Sequence, residues 1–331
     1  MPELSRILAA LTQAPGEPAA LATLVRVEGS SYRRPGARLL LLNNGLRVGS
    51  ISGGCLEDDV VLRAQRVLAS GKSETAVYDT TSENDLVWGV GLGCQGVVHI
   101  FIEPLPLVRP LWMKTLAENL RARRETALSV IHSGHSSRGT ILTSEAPNII
   151  KSTDVFLEKI SAPPALVIFG AGEDARPLVR LAKEVGWHVT VVDARPAYAT
   201  PVRFAEADAV CNAPAKDAAS QLAPDHSSFA VIMTHRYAED LQLLRQLLPH
   251  PLAYLGVLGP RKRTDRLLAQ LQTEGFAPDE TMRAQLHAPI GLDLGGNTPE
   301  TVALAIMAEM QCRLTGRAPI HLRDRTAPIH D

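Results

Sequence analysis

The chain has 331 residues, of which 45% are hydrophobic and 21% are charged, so it is long enough for two ordinary domains with buried cores. Lys and Arg number 34 and Asp and Glu number 35, and the formal net charge of -1 gives no overall basic field to attract nucleic acid or anionic lipid. Aromatic residues make up only 4%, which also disfavours base-stacking surfaces.

The sequence also predicts the cellular compartment of the protein. No apolar run approaches the roughly 18 residues that a membrane helix needs, and the N-terminal segment is typical of a short amphipathic helix rather than a signal peptide. The cysteines, Cys55, Cys94, Cys211 and Cys312, are far apart and form no CxxC pair. We therefore expect a cytoplasmic protein with reduced thiols that acts neither on nucleic acid nor in a membrane.

Residues 1–105 are predicted to form a mixed α+β domain. Strand-like sequences occur at 22–27, 38–42, 46–48, 76–78 and 97–102, and residues 58–69 have the apolar spacing of a helix. The tripeptide Asn43-Asn44-Gly45 is a strong hairpin signal. In residues 106–164 the pattern is weaker, with a helix at 111–124 and strands at 127–131 and 140–142. We interpret this part as a connecting segment that ends at Ala162-Pro163-Pro164.

Residues 165–331 alternate strands and helices in the manner of βαβ units. The strands are predicted at 166–169, 188–192, 209–211, 229–233 and 253–257, and the helices at 174–185, 215–222, 238–248, 261–272 and 299–314. Thr298 is a candidate N-cap of the last helix. The predicted fold class is therefore α/β, with a C-terminal Rossmann-like, doubly wound parallel sheet after the mixed N-terminal domain.

A G-x-G-x-x-A pattern lies between the first strand and the first helix of this second half. Gly170 and Gly172 permit a tight turn and a close backbone approach, and the amides of the next helix suit a phosphate. Asp193 ends the following strand about 20 residues on, where a carboxylate bonds ribose hydroxyls and repels a 2′-phosphate. The pattern predicts a site for NAD-like rather than NADP-like nucleotides, unless the glycines serve packing alone.

Two glycine-rich loops each carry a cysteine. In the first, Gly53 and Gly54 precede Cys55 near the predicted start of a helix, where free amides and the helix dipole stabilise anions, including a thiolate. Gly93 and Cys94 lie in a second loop of the same kind. Each loop alone is equally compatible with a tight turn around a passive cysteine. Together they favour a site for a soft ligand or for sulfur, with Cys55 and Cys94 as candidate metal contacts.

Further candidates lie at strand ends and helix starts of the second half. Arg261 opens a basic cluster that is either a phosphate clamp or a solvated helix start. His235 follows a strand at the edge where doubly wound sheets bind ligands, so it either contacts a ligand or has a structural role. Asp240 is interpreted as a helix-start carboxylate, and Cys211 and Cys312 as core residues.

These motifs together resemble the XdhC/CoxI family, whose members are maturation factors for xanthine dehydrogenase and CO dehydrogenase. The resemblance spans most of the chain. It is carried by GSISGGCLE at 49–57, GLGCQG at 91–96, LVIFGAG at 166–172, VIMTH at 231–235 with Asp240, YLGVLGP at 254–260 and PIGLDLG at 289–295.

The resemblance implies a cytoplasmic homodimer that binds molybdenum cofactor, as molybdopterin or its cytosine dinucleotide. It implies that the cofactor is protected during sulfuration by a cysteine desulfurase-type donor. The loaded cofactor would then pass to an apo molybdenum hydroxylase of the xanthine or CO dehydrogenase type. Catalytic turnover by the chain itself is not implied.

The sequence alone is also compatible with two other functions. The fingerprint alone favours an NAD-dependent oxidoreductase, although the sequence has no obvious Tyr-x-x-x-Lys pair and no His–Asp arrangement assignable to hydride transfer. A metal-binding redox module built on the cysteines is the other alternative, but their spacing matches no closed zinc or iron–sulfur site.

Overall fold

The computed structural model describes residues 2–79, 96–134, 137–146, 153–217 and 227–326. The chain divides into two compact units, Met1–Ala162 and Pro163–Asp331. Each unit has its own sheet and its own hydrophobic core. The main sheet of the first unit is antiparallel, and that of the second is parallel.

A five-stranded antiparallel sheet is the framework of the first unit. Its strands are β1 (Ala19–Gly29), β2 (Arg38–Leu42), β3 (Arg47–Gly49), β4 (Glu74–Asp79) and β5 (Gly96–Leu105), in the order β3-β2-β1-β5-β4. The predicted hairpin joins β2 to β3, and the Gly45 amide donates to the Leu42 carbonyl at 2.9 Å. The strands predicted for this half are therefore confirmed, each longer than or close to its predicted length.

Helices cover both faces of this sheet. They are α1 (Pro2–Gln13), α2 (Glu57–Ser70) and α3 (Leu111–Arg121). Val60 of α2 belongs to one core cluster with Ala20 of β1, whereas Ile7 of α1 and Trp112 of α3 belong to another with Leu21. Because successive strand residues point to opposite faces, a strand buried on both sides has a continuous apolar sequence, as β1 does from residue 19 to 22.

Residues 106–160 contain more regular structure than the sequence pattern predicts. After α3 comes a three-stranded antiparallel sheet of β6 (Thr126–Ile131), β7 (Gly139–Leu142) and β8 (Val155–Ile160), in the order β7-β6-β8. The sequence does not predict β8, because Glu158 and Lys159 interrupt its apolar run. Leu128 and Ile160 share a hydrophobic cluster with α1, so this stretch is packed into the core of the first unit.

The second unit is the predicted Rossmann-like domain. Its parallel strands are β9 (Ala165–Phe169), β10 (His188–Asp193), β11 (Ala209–Asn212), β12 (Ser228–Ile232), β13 (Tyr254–Val257) and β14 (Leu286–His287), in the order β11-β10-β9-β12-β13-β14. In chain order this is 3-2-1-4-5-6, the arrangement of dinucleotide-binding sheets. The order reverses between β9 and β12, which creates a crevice at the carboxyl ends of these two strands.

The helices of this unit follow the predicted pattern with one addition. They are α4 (Ala175–Glu184), α5 (Tyr237–Leu247), α6 (Arg261–Thr273), α7 (Glu280–Ala284) and α8 (Pro299–Thr315). Thr298 caps α8 as predicted, since its side chain accepts a hydrogen bond from the Thr301 amide. The short α7 and β14 were not predicted. Of the helix predicted at 215–222, residues 218–222 lie outside the described residues.

A buried charge joins the two sheets of the first unit. Arg38 of β2 is fully buried, and its Nη2 donates to Glu158 Oε2 of β8 at 2.5 Å. Glu103 of β5 is also buried, and Thr140 of β7 donates to it from its amide (3.0 Å) and its hydroxyl (2.5 Å). Burial raises the pKa of Glu103, and these hydrogen bonds and the charge of Arg38 only partly oppose that rise.

We predict that Arg38→Ala destabilises the first unit strongly, by about 3–5 kcal/mol, because it leaves Glu158 without its buried cation. Arg47→Ala, on the adjacent strand, is the matched control: its pair with Asp58 (3.4 Å) is solvent-exposed and contributes little. Chemical unfolding followed by circular dichroism measures both variants. Equal unfolding midpoints for the two variants would show that the buried pair does not hold the sheets together.

Candidate functional site

The loop between β3 and α2 carries the first candidate site. Glu57, the first residue of α2, folds back over this loop. Its Oε1 accepts hydrogen bonds from the amides of Ile51 (3.1 Å) and Ser52 (2.8 Å) and from the Ser50 hydroxyl (2.9 Å), and its Oε2 accepts the Ser52 hydroxyl. A carboxylate is also favoured at a helix N-terminus by the dipole. One side chain therefore holds residues 50–52, which lead to the predicted cysteine.

Ser52 connects this carboxylate to Cys55. The Ser52 hydroxyl oxygen accepts hydrogen bonds from the amides of Gly54 (3.2 Å) and Leu56 (3.1 Å) and from the Cys55 thiol (3.3 Å). The thiol is half-buried. A Cβ added to Gly54, the residue before Cys55, would meet no atom within 4 Å beyond its chain neighbours, so the space at this glycine is open.

Glu57 is ionised at neutral pH, and this is the form that accepts these hydrogen bonds. Burial alone would raise the pKa of Glu57, but the hydrogen bonds from Ser52 and Ser50 outweigh burial and leave the pKa below its usual value of 4.5. Because the folded pKa is below the unfolded one, these bonds stabilise the fold fully above the unfolded pKa. Their contribution is lost as the pH falls through the folded pKa.

The loop after β1 lies beside the same site. A Cβ on Gly53 would come 3.7 Å from the ring of Tyr32, which is exposed to solvent. Gly96 opens β5, and a Cβ there would lie 2.3 Å from the Ser30 carbonyl oxygen, so only glycine fits. The segment 30–32 therefore contacts both the first cysteine loop and the start of β5. Gly93 and Cys94 lie outside the described residues, and their role stays a prediction.

The second candidate site is the turn between β9 and α4. Gly170 has a φ of 119°, and a Cβ there would lie 2.4 Å from the Met233 carbonyl oxygen after β12, so a side chain is excluded. A Cβ on Gly172, in contrast, would meet nothing within 4 Å. In the described part of the chain, the amides of Gly172, Glu173 and Asp174 donate to no protein acceptor. They are donors suited to a phosphate at the start of a helix.

Asp193 is bound by the protein itself. Its Oδ2 accepts the Ala171 amide (2.7 Å) and Arg195 Nη2 (2.7 Å), and its Oδ1 accepts the Arg195 amide (2.8 Å) and Nε (2.9 Å). Burial would raise the pKa of Asp193, but the hydrogen bonds from Arg195 and Ala171 lower it overall. The predicted direct bond to ribose hydroxyls therefore does not fit this geometry, since a carboxylate has about four acceptor positions and all are used.

His235 lies across the crevice from α4. Its φ is 61°, a left-handed conformation that is costly outside glycine and that clusters at functional sites. Its Nε2 lies 2.9 Å from Asp174 Oδ2, and both side chains are partly exposed. The pair connects the loop after β12 to the glycine turn. Ligand contact by His235 stays a prediction, and the structure adds a protein partner for it.

Asp240 has a larger role than the helix-start carboxylate that its position predicts. It is buried, and its Oδ1 accepts the Thr234 hydroxyl while its Oδ2 accepts Arg263 Nη2, both at 2.5 Å. It therefore ties α5 and the loop after β12 to α6. In the basic cluster, Arg263 has this structural bond, whereas Arg261 is exposed at the first position of α6. A phosphate contact by Arg261 stays a prediction.

The other expectations concern thiols, metals and membranes. Cys211 and Cys312, predicted as core residues, are each partly exposed. Among the described residues, no three or more His, Cys, Asp or Glu side chains are grouped so that they would hold a metal ion. Within the same part of the chain, no helix is long and apolar enough to cross a membrane.

Comparison with known proteins covers both sites. Residues 12–79 match the XdhC and CoxI family, and residues 166–310 match the XdhC Rossmann domain. A probable xanthine dehydrogenase subunit from Bacillus subtilis (strain 168) is 34% identical, over 89% of this chain and 92% of that protein. The chain belongs to the XdhC and CoxI family. This confirms the resemblance drawn from the sequence motifs.

Two further relatives extend the comparison. The molybdenum cofactor insertion chaperone PaoD of Escherichia coli (strain K12) is 23% identical, over 89% of this chain and 83% of its own. A xanthine dehydrogenase from Bacillus halodurans, known from a crystal structure, is 31% identical in sequence and superposes on this chain with a TM-score of 0.78. The match covers 96% of this chain and 97% of that one. The first matched range contains the Glu57 loop, and the second contains the glycine turn and His235.

Sequence reasoning singled out the glycines and the cysteine but not the side chains that hold them. Ser52 and Glu57 stand inside the GSISGGCLE stretch, and an acidic residue in the first turn of a helix was the available signal. Arg195 and Asp174 were likewise missed. Asp174 directly follows the glycine turn, and Arg195 lies two residues beyond the end of the second strand.

We predict that Glu57→Ala increases the alkylation rate of Cys55, because it loosens the loop and frees the Ser52 hydroxyl to donate to the sulfur. Asp58→Ala is the matched control, since it removes the adjacent acidic residue of the same helix turn but no hydrogen bond to the loop. Iodoacetamide labelling followed by peptide mass spectrometry reports Cys55 separately from the other cysteines. Equal rates in the two variants would show that Glu57 does not control the loop.

Proposed function

We propose that this protein binds molybdenum cofactor and delivers it, after sulfuration, to an apo molybdenum hydroxylase of the xanthine dehydrogenase type. It does so as a cytoplasmic homodimer that receives sulfur from a cysteine desulfurase-type donor, and it performs no turnover of its own. Membership of the XdhC and CoxI family and likeness to PaoD support the class of cargo.

The observation that carries the proposal is the Glu57–Ser52–Cys55 arrangement. It presents one half-buried thiol next to open space at Gly54. The thiol donates a hydrogen bond to the Ser52 hydroxyl oxygen, and that hydroxyl donates to the Glu57 carboxylate. A positioned single thiol suits a reversible contact with a soft metal better than permanent enclosure, which requires several ligands. Such a site suits a cofactor that is bound and later released to another protein.

The donor set of this site fits the proposed cargo. The cofactor combines a phosphate, a pterin and a molybdenum dithiolene. The Cys55 sulfur is a soft donor for the metal end, and the exposed ring of Tyr32, next to Gly53, is a flat surface for a planar heterocycle. When bound, the cofactor supplies the metal chemistry that the client enzyme needs. The chain's own residues hold it and shield it.

The glycine turn of the second unit supports a nucleotide in the Rossmann cleft. The amides at 172–174 provide a phosphate site at the start of α4, and His235 and Asp174 border it. The nucleotide is a ligand of the second unit, separate from the molybdenum cofactor. Arg261, at the start of α6, is a second candidate for phosphate contact.

We predict that Cys55→Ala, purified from a cofactor-producing host, retains about tenfold less molybdenum than the wild type, because it loses the metal contact. Cys312→Ala is the matched control, since Cys312 is also a partly exposed free thiol. Molybdenum is measured by mass spectrometry, and delivery by the activity that each protein restores to an apo-hydroxylase with a sulfur donor.

Equal molybdenum retention and equal delivery by the two variants would remove Cys55 from the site. Failure of the wild-type protein to activate any apo molybdenum hydroxylase would contradict the proposed function. Repeated turnover of a nicotinamide-linked substrate by the purified chain would instead favour the oxidoreductase alternative.

For the cleft, we predict that Gly172→Val abolishes the thermal stabilisation that nucleotides confer, because the new side chain occupies the open space beside the phosphate amides. The fold itself should tolerate the change, since no atom lies within 4 Å of the new Cβ. Thermal unfolding with NAD⁺, NADP⁺, ATP or CTP measures the effect, and Ala269→Val, at an exposed helix position, is the control. Unchanged ligand shifts in Gly172→Val would place the nucleotide elsewhere.

A further inference from the structure

The end of β10 presents a positive charge where the sequence predicts a negative one. All four acceptor positions of Asp193 are filled by the Ala171 amide and by Arg195, and its side chain is 2% exposed. No acceptor is left for the hydroxyls of a ribose. The group that faces solvent at this position is the Arg195 side chain, which is 32% exposed.

The Arg195 guanidinium is held with donors to spare. It donates Nε and one Nη2 hydrogen to Asp193, and in the described part of the chain its Nη1 donates to no protein acceptor. A guanidinium has five N–H groups, so three remain, in the planar fork that binds phosphate oxygens in pairs. Arg236 adds a second cation, with its Nη2 4.0 Å from Asp193 Oδ1.

An aromatic ring fixes the plane of this fork. The Arg195 Cζ lies 3.8 Å from the centroid of the Tyr198 ring, and the Arg203 Cζ lies 5.1 Å from the same centroid. Stacking on an aromatic ring restricts a guanidinium that would otherwise move freely. Arg195 is therefore oriented by Asp193 at its edge and by Tyr198 at its face.

The acids near this cluster are already paired. Glu173, in the glycine turn, accepts hydrogen bonds from Arg203 (2.7 Å) and Arg176 (3.0 Å), and Glu239 pairs with Arg236 at 2.6 Å. The bonds from Arg203 and then Arg176 lower the pKa of Glu173, so its charge is retained and matched by cations. A second phosphate on the ligand would consequently meet a guanidinium rather than an unpaired carboxylate.

We infer that the Rossmann cleft selects a nucleotide with an extra phosphate on its ribose, of the NADP type, through Arg195. Asp193 is a positioning residue in this assignment and not a ribose ligand. The inference rests on the proposed nucleotide binding in the cleft, and it reverses the preference for NAD-like ligands that the sequence position of Asp193 predicts. A nearby arginine is the feature that accommodates a 2′-phosphate in dinucleotide-binding folds.

The test is titration calorimetry on the full chain with two matched ligand pairs, NADP⁺ against NAD⁺ and adenosine 2′,5′-bisphosphate against 5′-AMP. In each pair we expect the 2′-phosphorylated ligand to bind about tenfold tighter or more, given the strength of charge-assisted bidentate bonds. Arg195→Lys keeps a cation beside Asp193, so the fold is retained, but it lacks the fork. In this variant the preference should fall below about threefold, while NAD⁺ affinity stays within about twofold.

Arg313→Lys is the control variant, because its Nε bonds the Ala253 carbonyl at the amino end of β13, the opposite edge of the sheet. Equal or tighter binding of NAD⁺ by the wild type would overturn the inference and leave nucleotide binding intact. An unchanged preference in Arg195→Lys would overturn the role of Arg195. Binding of none of the ligands would overturn both this inference and the proposed nucleotide site, without affecting the test of cofactor delivery.

Discussion

A tight turn leaves backbone amides without partners, and in each unit of this chain one carboxylate supplies the missing acceptors: the half-buried Glu57 in the first and the buried Asp193 in the second. Glu57 accepts the amides of Ile51 and Ser52, and Asp193 accepts those of Ala171 and Arg195. An amide buried without an acceptor is costly, so each turn depends on its acid. In both acids the hydrogen bonds outweigh burial and keep the pKa low, so both remain charged at neutral pH.

Because the carboxylate oxygens of Glu57 and Asp193 accept hydrogen bonds from the protein itself, other side chains are presented for contact with a ligand. In the first unit Glu57 acts through Ser52, and the half-buried Cys55 thiol is presented. In the second unit Asp193 acts on Arg195, whose guanidinium is presented. One presented group is a soft donor and the other is a cation with anion-binding geometry. The two units therefore present different chemistry to their ligands.

The two units differ in the kind of side chain that their sheets bury. The parallel sheet of the second unit has apolar residues on both faces. The first unit buries charge within its core, where Arg38 joins β2 to β8 and Glu103 is bonded by Thr140. Removing one member of such a network leaves a buried group unpaired, so residues 106–160 and the main sheet are energetically coupled.

The amino-acid sequence predicted the alternation of strands and helices in the second unit, because buried parallel strands are continuous apolar runs and the helices have their own periodicity, with a recognisable N-cap at Thr298 of α8. It also located Gly53, Gly54, Cys55, Gly170 and Gly172, since glycine and cysteine are distinctive in turns. It did not determine β8, in which Glu158 pairs with Arg38, a residue of a strand 120 positions earlier in the chain. Nor did it determine the partners of Asp193 and Glu57. Hydrogen bonding is decided by which groups the fold brings within about 3 Å, and a one-dimensional pattern does not contain that distance.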